Sequence, residues 1–429
     1  IANHKKYVDG CAELGIESVV VDDGWDKSFA SIRTRQGVTI SRLPSFGDTI
    51  HGISRTSSCQ YFVGGRPVTI PVSICPLFST YPNRTQFGAG RATFTWLVEG
   101  NDRLSIANHK KYVDGCAELG IESVVVDDGW ELWQQTEKEA NGRTKWEMLK
   151  ELVDYAREKN VDIWVWRASS PRFGNKSDIG LVDPAERAGF MKKCAEVGVK
   201  GLKIDFFHTE NAFTVNLMEN ILKDAAKEKL MVIFHGVNKP TGDSYTYPNL
   251  LAKEAVRGLE CVGGENSWAP GPPWPYHNTV LPFTRWLVGP ADYTPMNFRA
   301  FCHPSVTFAH QLSSIYMFTS PMLIFAADME DMLSSPGRSF IESVPVTWDE
   351  TVVLPESEIG KLAALARRKG DVWYLTVLNG EEPKMLDIKL DFLPKGKYKM
   401  EMASDTPGNR KLIEVKDSKV RSGQRLKDI

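Results

Sequence analysis

The sequence predicts an α/β protein, a (β/α)8 TIM barrel followed by a small C-terminal antiparallel β domain. Three observations predict it. From residue 92 onward, short apolar runs alternate with amphipathic helical stretches. The runs, among them VVVD, DIWVW, GLKIDFF and VIFHG, are apolar throughout, as parallel strands covered on both faces must be. After about residue 340 the apolar period becomes two, with Asn379-Gly380 and Pro394-Lys395-Gly396 as turn signals.

The barrel strands are predicted at 92–97, 122–127, 161–166, 200–206, 230–235, 258–262, 288–293 and 321–326. Helices are predicted at Ala107–Leu119, Lys145–Lys159 and Pro184–Val197. Asp183-Pro184 supplies an N-cap and a first-turn proline, and Gly120 and Gly198 are helix stops. Eight strand–helix units fit a closed barrel; a doubly wound open sheet is the rival. Asp371–Leu378, Met385–Phe392 and Lys397–Met402 are the expected strands of the last domain. The expected division is 1–87, a duplicated or irregular segment; 88–340, the barrel; and 341–429, the β domain.

Residues 1–25 recur without change at 106–130. Structural repeats diverge, and this one has not, which reads as a recent duplication or an assembly fault. The second copy has the better context, with Ala92–Leu97 before it and regular alternation after it. It is expected to be the working copy. The stretch 26–87, rich in Ser, Thr, Arg, Gly and Pro, shows weak periodicity of either kind and reads as irregular or partly ordered.

A formal net charge of −2 leaves no basic footprint for a nucleic acid. No apolar run is long enough to span a membrane. The opening residues IANHKKYVDG do not read as a secretory signal, and a chain beginning with Ile reads as a fragment or a processed form. The seven cysteines form no C-x-x-C pair, which argues against a zinc or redox motif.

In barrel enzymes the reacting groups follow the C-terminal ends of the strands. The polar residues there are Asp127 and Asp128 with Trp130, Trp166 with Arg167, Lys203 with Asp205, His235, and then Glu254, Glu260 and Glu265. Asp at a strand end can be a helix cap, and Glu254 can be a solvated face. Asp205 lies inside an apolar run, and a buried carboxylate needs a partner or a purpose. Two carboxyl groups on one rim are the minimum equipment for glycoside hydrolysis. Tryptophans can stack on sugar rings, although most in any chain are core. Enolase- or aldolase-type lyases use related constellations, and Lys203 could form a Schiff base. No Gly-rich phosphate loop follows the seventh and eighth strands, however.

At these residues the sequence resembles glycoside hydrolase family 97. The resemblance is carried by Phe94-Thr95-Trp96, VVVDDGW, GLKIDFF, FHGVNKP, TYPNLLAKEAVRGLE and HNTVLPFTRWLVGPADYTP, in the family's order, and covers about 88–420. It implies an exo-acting α-glycosidase. The family's inverting members carry a base glutamate directly after the His of the fifth-strand motif; here that position is Gly236. Its retaining members carry an Asp nucleophile at the end of the fourth strand, which matches Asp205, and an acid/base glutamate that matches Glu260. The resemblance also implies a calcium ion beside the acid, held by Glu254 and Glu260, with hard oxygen donors that suit it. It implies a bacterial periplasmic or secreted location. The family's N-terminal β-sandwich is not recognisable in these residues.

The reading is therefore a retaining α-glycoside hydrolase acting on oligosaccharides or glycosides, with α-galactosidase as the leading specificity. Asp205 attacks the anomeric carbon and Glu260 serves as acid, then base. Asp127, Asp128, Lys203, His235 and Arg285 are the candidates for hydroxyl contacts, and Trp130 and Trp166 for apolar walls. The alternatives are an α-glucosidase or β-L-arabinopyranosidase of the same fold, or an inactive carbohydrate-binding barrel.

Overall fold

The computed structural model of the chain describes residues 89–97, 104–136, 140–170, 180–207, 209–261, 271–299 and 305–427, together with four short strands between 31 and 71. Of those four, Ser31–Arg33 pairs antiparallel with Thr39–Ser41, and Ser58–Val63 forms a two-stranded sheet with Arg66–Pro71. The first copy of the repeat and most of 26–87 lie outside the described residues, and so does Glu265.

Seven parallel strands form a nearly closed barrel with helices around it. They are β1 (Gly90–Phe94), β2 (Ser123–Val126), β3 (Asp162–Ala168), β4 (Gly201–Asp205), β5 (Met231–Phe234), β6 (Leu250–Lys253) and β7 (Met322–Phe325), in the order β6-β5-β4-β3-β2-β1-β7. The helices α1 (Ile106–Leu119), α2 (Lys145–Glu158), α3 (Pro184–Val197) and α4 (Ala212–Lys227) follow β1 to β4 in turn. The second copy of the repeat thus makes α1 and β2.

Local chemistry sets the helix ends. Ser105 accepts the Asn108 amide at 3.1 Å, and α1 stops at Gly120 with φ +66°. Thr144 and Glu147 form a reciprocal capping box on α2. Asp183 accepts the amides of Ala185 and Glu186 on α3, and Asn211 caps α4. Each such cap is worth about 0.5–2 kcal/mol.

Alternation along each strand divides the sheet into two buried layers. Val124, Val126, Ile163, Val165, Leu202, Ile204, Val232 and Phe234 pack outward against helix residues such as Val113, Leu152 and Ile221. Trp164, Trp166, Lys203 and Ile233 alternate with them and are also buried. The register pairs Trp164 with Gly201. A β-carbon on Gly201 would stand 2.5 Å from the Trp164 ring, so only glycine admits that indole.

The strands expected at 258–262 and 288–293 are not formed among the described residues. The sixth strand is β6, with a bulge between Leu250 and Ala252, which lies ahead of the strand expected at 258–262. Leu259–Cys261 is a turn of 3₁₀ helix, and so is Arg285–Val288. Pro290 and Pro295 lack amide donors, and Thr294 and Met296 are left-handed at φ +50° and +66°, so 289–297 cannot run a ladder. It still takes part in main-chain bonding on two sides. The Tyr293 carbonyl accepts from Leu259, beyond β6, and the Pro295 carbonyl from Ala326, beyond β7.

The chain ends in antiparallel strands, as the period-two pattern predicts. β8 (Glu350–Val353), β9 (Leu362–Lys369) and β10 (Val372–Asn379) form one sheet. β11 (Asp387–Lys389) pairs with β14 (Arg425–Lys427), and β12 (Lys397–Thr406) with β13 (Asn409–Arg421). Arg367 of β9 is buried and donates to the Tyr316 and Met317 carbonyls at the C-terminus of helix Phe308–Met317, where a cation suits the helix dipole.

Candidate active site

The C-terminal ends of β2 to β6 bring Asp127, Trp166, Lys203, Asp205, His235 and Glu254 to one rim. Lys203 and Asp127 form a buried ion pair at 2.6 Å, with side chains 2% and 4% exposed. Burial disfavours the charged lysine, but Asp127, Glu260 and Asp205 outweigh it and raise its pKa. Lys203 is therefore the common cation of the site, and removing either partner of its buried pair is expected to cost about 3–5 kcal/mol. Asp127 also accepts the Asp128 amide at 2.8 Å. These two residues, read as hydroxyl contacts, are first of all partners of each other. Asp128 sits half-buried at the tip of β2.

Asp205 ends β4. Its Oδ1 accepts the Phe206 amide at 2.7 Å and its Oδ2 accepts the Trp166 indole N–H at 3.2 Å. Trp166, expected as an apolar wall, thus holds the carboxylate directly. Gly236 lies against the same group at φ +52°, where an added β-carbon would stand 2.9 Å from Asp205 Oδ1.

His235 is buried between two acids, with Nε2 2.7 Å from Asp292 and Nδ1 3.5 Å from Glu254. Burial and Lys203 depress its pKa, yet Glu254 and Asp292 prevail and raise it to about 9. Glu254 also accepts the Gly236 amide at 2.8 Å. Glu260 sits in the turn after β6, where burial and the neighbouring Glu254 push its pKa up to about 8. That upward shift is the direction a general acid requires.

His235, Glu254 and Glu260 each offer a ligand atom within 4.8 Å of the others. Around them, Asp127, Asp205, Glu254 and Asp292 provide four carboxyl groups against the two cations Lys203 and His235. This excess of acid favours a cation or a developing positive charge. Two adjacent carboxylates are hard oxygen donors, so the set fits a calcium ion.

Two expected site residues stand elsewhere. Trp130 is buried, donates to the Trp166 carbonyl at 2.8 Å, and packs edge-on against Trp133 and Trp146; it is core beneath the rim. Arg285 is buried too. Its guanidinium donates to five carbonyls, those of Lys253, Glu254, Ala255, Gly289 and Pro290, and so clamps the backbone around Glu254. Sequence reasoning missed Asp292, whose only signal is a carboxylate within the apolar GPADYTP run.

The family model for glycoside hydrolase 97 matches residues 84–256, and that for the glycosyl-hydrolase 97 C-terminal, oligomerisation region matches 347–428. A retaining alpha-galactosidase of Bacteroides thetaiotaomicron is 30% identical over 331 residues, covering 72% of this chain and 46% of that protein. A probable retaining alpha-galactosidase of Streptomyces bingchenggensis is 33% identical over 293 residues, covering 67% of this chain and 43% of that one. The chain therefore spans less than half the length of these curated relatives. Among solved structures, a beta-arabinopyranosidase is similar at 25% identity with a TM-score of 0.66, over 88% of this chain and 67% of that one. A family 97 enzyme from Pseudoalteromonas sp. strain K8, in complex with acarbose, is similar in fold at 22% identity and a TM-score of 0.67, over 88% and 70%.

Proposed function

Because the chain belongs to glycoside hydrolase family 97, we propose that it is a retaining exo-α-glycoside hydrolase that removes terminal α-galactosyl groups. The observation that carries the reading is the contact between Gly236 and Asp205. The carboxylate of Asp205 occupies the space that a side chain at 236 would need, so the nucleophile's seat and a base at 236 exclude each other.

In the first step an Asp205 oxygen forms a bond to C1 as the bond from C1 to the leaving oxygen breaks. Glu260 gives that oxygen its proton. In the second step Glu260 takes a proton from water, the water oxygen bonds to C1, and the electron pair returns to the Asp205 carboxylate. The acidic surroundings stabilise positive charge developing on the sugar ring. Glu254 and Glu260, with His235 beside them, would hold calcium. Bound there, a divalent ion would supply positive charge that draws the glutamates together and holds this side of the rim rigid. Oligosaccharides or glycosides are the proposed substrates, met in the periplasm or outside the cell.

The similarity to a beta-arabinopyranosidase favours a second reading. β-L-Arabinopyranosides share the ring hydroxyl arrangement of α-D-galactopyranosides and lack the exocyclic carbon, so one site can take both. The test is kcat/KM for p-nitrophenyl α-galactoside, α-glucoside and β-L-arabinopyranoside. The proposal expects the galactoside to lead, because a misplaced 4-hydroxyl leaves site polar groups unpaired. A clear preference for the glucoside overturns it.

A further inference from the structure

The proposal made here rests on the retaining reading above and concerns how the nucleophile is held. Each oxygen of the Asp205 carboxylate has its own donor, Phe206 N–H at 2.7 Å on Oδ1 and the Trp166 indole N–H at 3.2 Å on Oδ2. The two oxygens are not equivalent in access. Oδ1 lies under the α-carbon of Gly236, in a position where one more carbon would stand 2.9 Å away.

The turn that makes the Oδ1 bond is itself held in place. Phe206 has φ +67°, a left-handed backbone that a side chain disfavours. Its carbonyl accepts the hydroxyls of Ser169 at 3.0 Å and Ser170 at 3.4 Å, and the Asp205 carbonyl accepts the Ser169 amide at 2.7 Å. The Trp166 ring packs edge-on against the Phe206 ring, with centroids 5.7 Å apart. The end of β3 therefore fixes both donors. Strain at one residue persists where the surroundings over-determine it, and such places cluster at functional sites.

We propose that Oδ2 is the attacking oxygen and that Trp166 is a positioning residue whose indole N–H assists the carboxylate's departure in the second step. Oδ1, covered by Gly236 and bonded to Phe206, becomes the carbonyl oxygen of the glycosyl ester. Oδ2 forms the bond to C1. When water attacks C1, the C1–Oδ2 bond breaks and its electron pair settles on Oδ2, where the Trp166 N–H receives it. The bond to Trp166 thus strengthens as the enzyme is released. It is weakest in the covalent intermediate, where Oδ2 is an ester oxygen.

Removing that donor should slow the second step more than the first. Trp166→Phe keeps the ring and deletes the N–H. Measured with 2,4-dinitrophenyl α-galactoside, whose leaving group makes the second step limiting, the variant should lose roughly tenfold or more in kcat and less than about threefold in kcat/KM. KM should fall and a pre-steady-state burst of dinitrophenolate should appear or grow. Trp166→His, which can present an N–H at that place, should recover part of kcat. Thermal unfolding of each variant shows that it is folded. A folded Trp166→Phe protein whose kcat and kcat/KM fall by one factor, or do not fall, overturns the proposal while the glycosidase reading stands. A folded wild-type chain that releases no dinitrophenolate overturns the glycosidase reading and this one with it.

Discussion

The α-carbon of Gly236 lies against the Asp205 carboxylate, so close that a β-carbon at 236 would stand 2.9 Å from Oδ1. One residue's missing side chain makes room for the other's charge. Gly236 also has φ +52° and donates its amide to Glu254, so it joins the Asp205 carboxylate to Glu254 across the rim.

Gly236→Ala should therefore damage activity out of proportion to stability. The left-handed backbone costs an alanine about 1–2 kcal/mol, which lowers Tm by a few degrees. Displacing a reacting group by about 1 Å can cost on the order of 100-fold in rate. Gly236→Glu should be inactive rather than converted to an inverting enzyme, because Asp205 fills the space. Steady-state kinetics beside thermal unfolding check this; a fully active alanine variant would remove the steric argument.

Glu260→Gln should hurt substrates with poor leaving groups by about 10²–10⁴-fold and spare activated aryl glycosides. The motivation is a carboxyl group whose pKa is pushed up by burial and by Glu254. A series of aryl α-galactosides of graded leaving-group acidity reads it directly. Equal losses across the series would mean that another group is the acid.

Calcium added to chelator-treated protein should bind and raise Tm. At a free concentration of about 100 Kd the gain is about 2.7 kcal/mol. Glu254→Ala should abolish the response, since Glu254 is common to the acid and histidine contacts of the cluster. Titration calorimetry and melting curves serve here without any turnover assay. Protein that takes up no calcium in either form rules the site out.

Much of this was legible in the sequence, and the exceptions have physical reasons. β1 to β5 and β7, with α1 to α3, follow local signals: continuous apolar runs, Asp183 before Pro184, and glycine at 120 and 198. β6, LLAK, was missed because it is bulged, so its pairing is irregular and leaves no period to detect. The 289–297 segment reads as a strand by composition, but prolines and left-handed residues keep it irregular. Asp205 and Glu260 were visible as carboxyl groups near strand ends. Trp130 and Trp166 were indistinguishable, because Trp130 follows the turn at Gly129 with φ +108°, and its direction is set there rather than by strand alternation. Arg285 looked like a ligand for hydroxyls. Its five backbone carbonyls come from 253–255 and 289–290, a convergence that only the folded chain reveals.

The central claim is that Asp205 forms a covalent bond with the sugar, and the stereochemistry of hydrolysis tests it most directly. Proton NMR of p-nitrophenyl α-galactoside hydrolysis, followed from the first turnovers and before mutarotation, identifies the anomer released. Two displacements at C1 give α-galactose first, with the β-anomer growing in only as the free sugar equilibrates. β-Galactose as the first product would mean a single displacement by water, and would contradict the role assigned to Asp205.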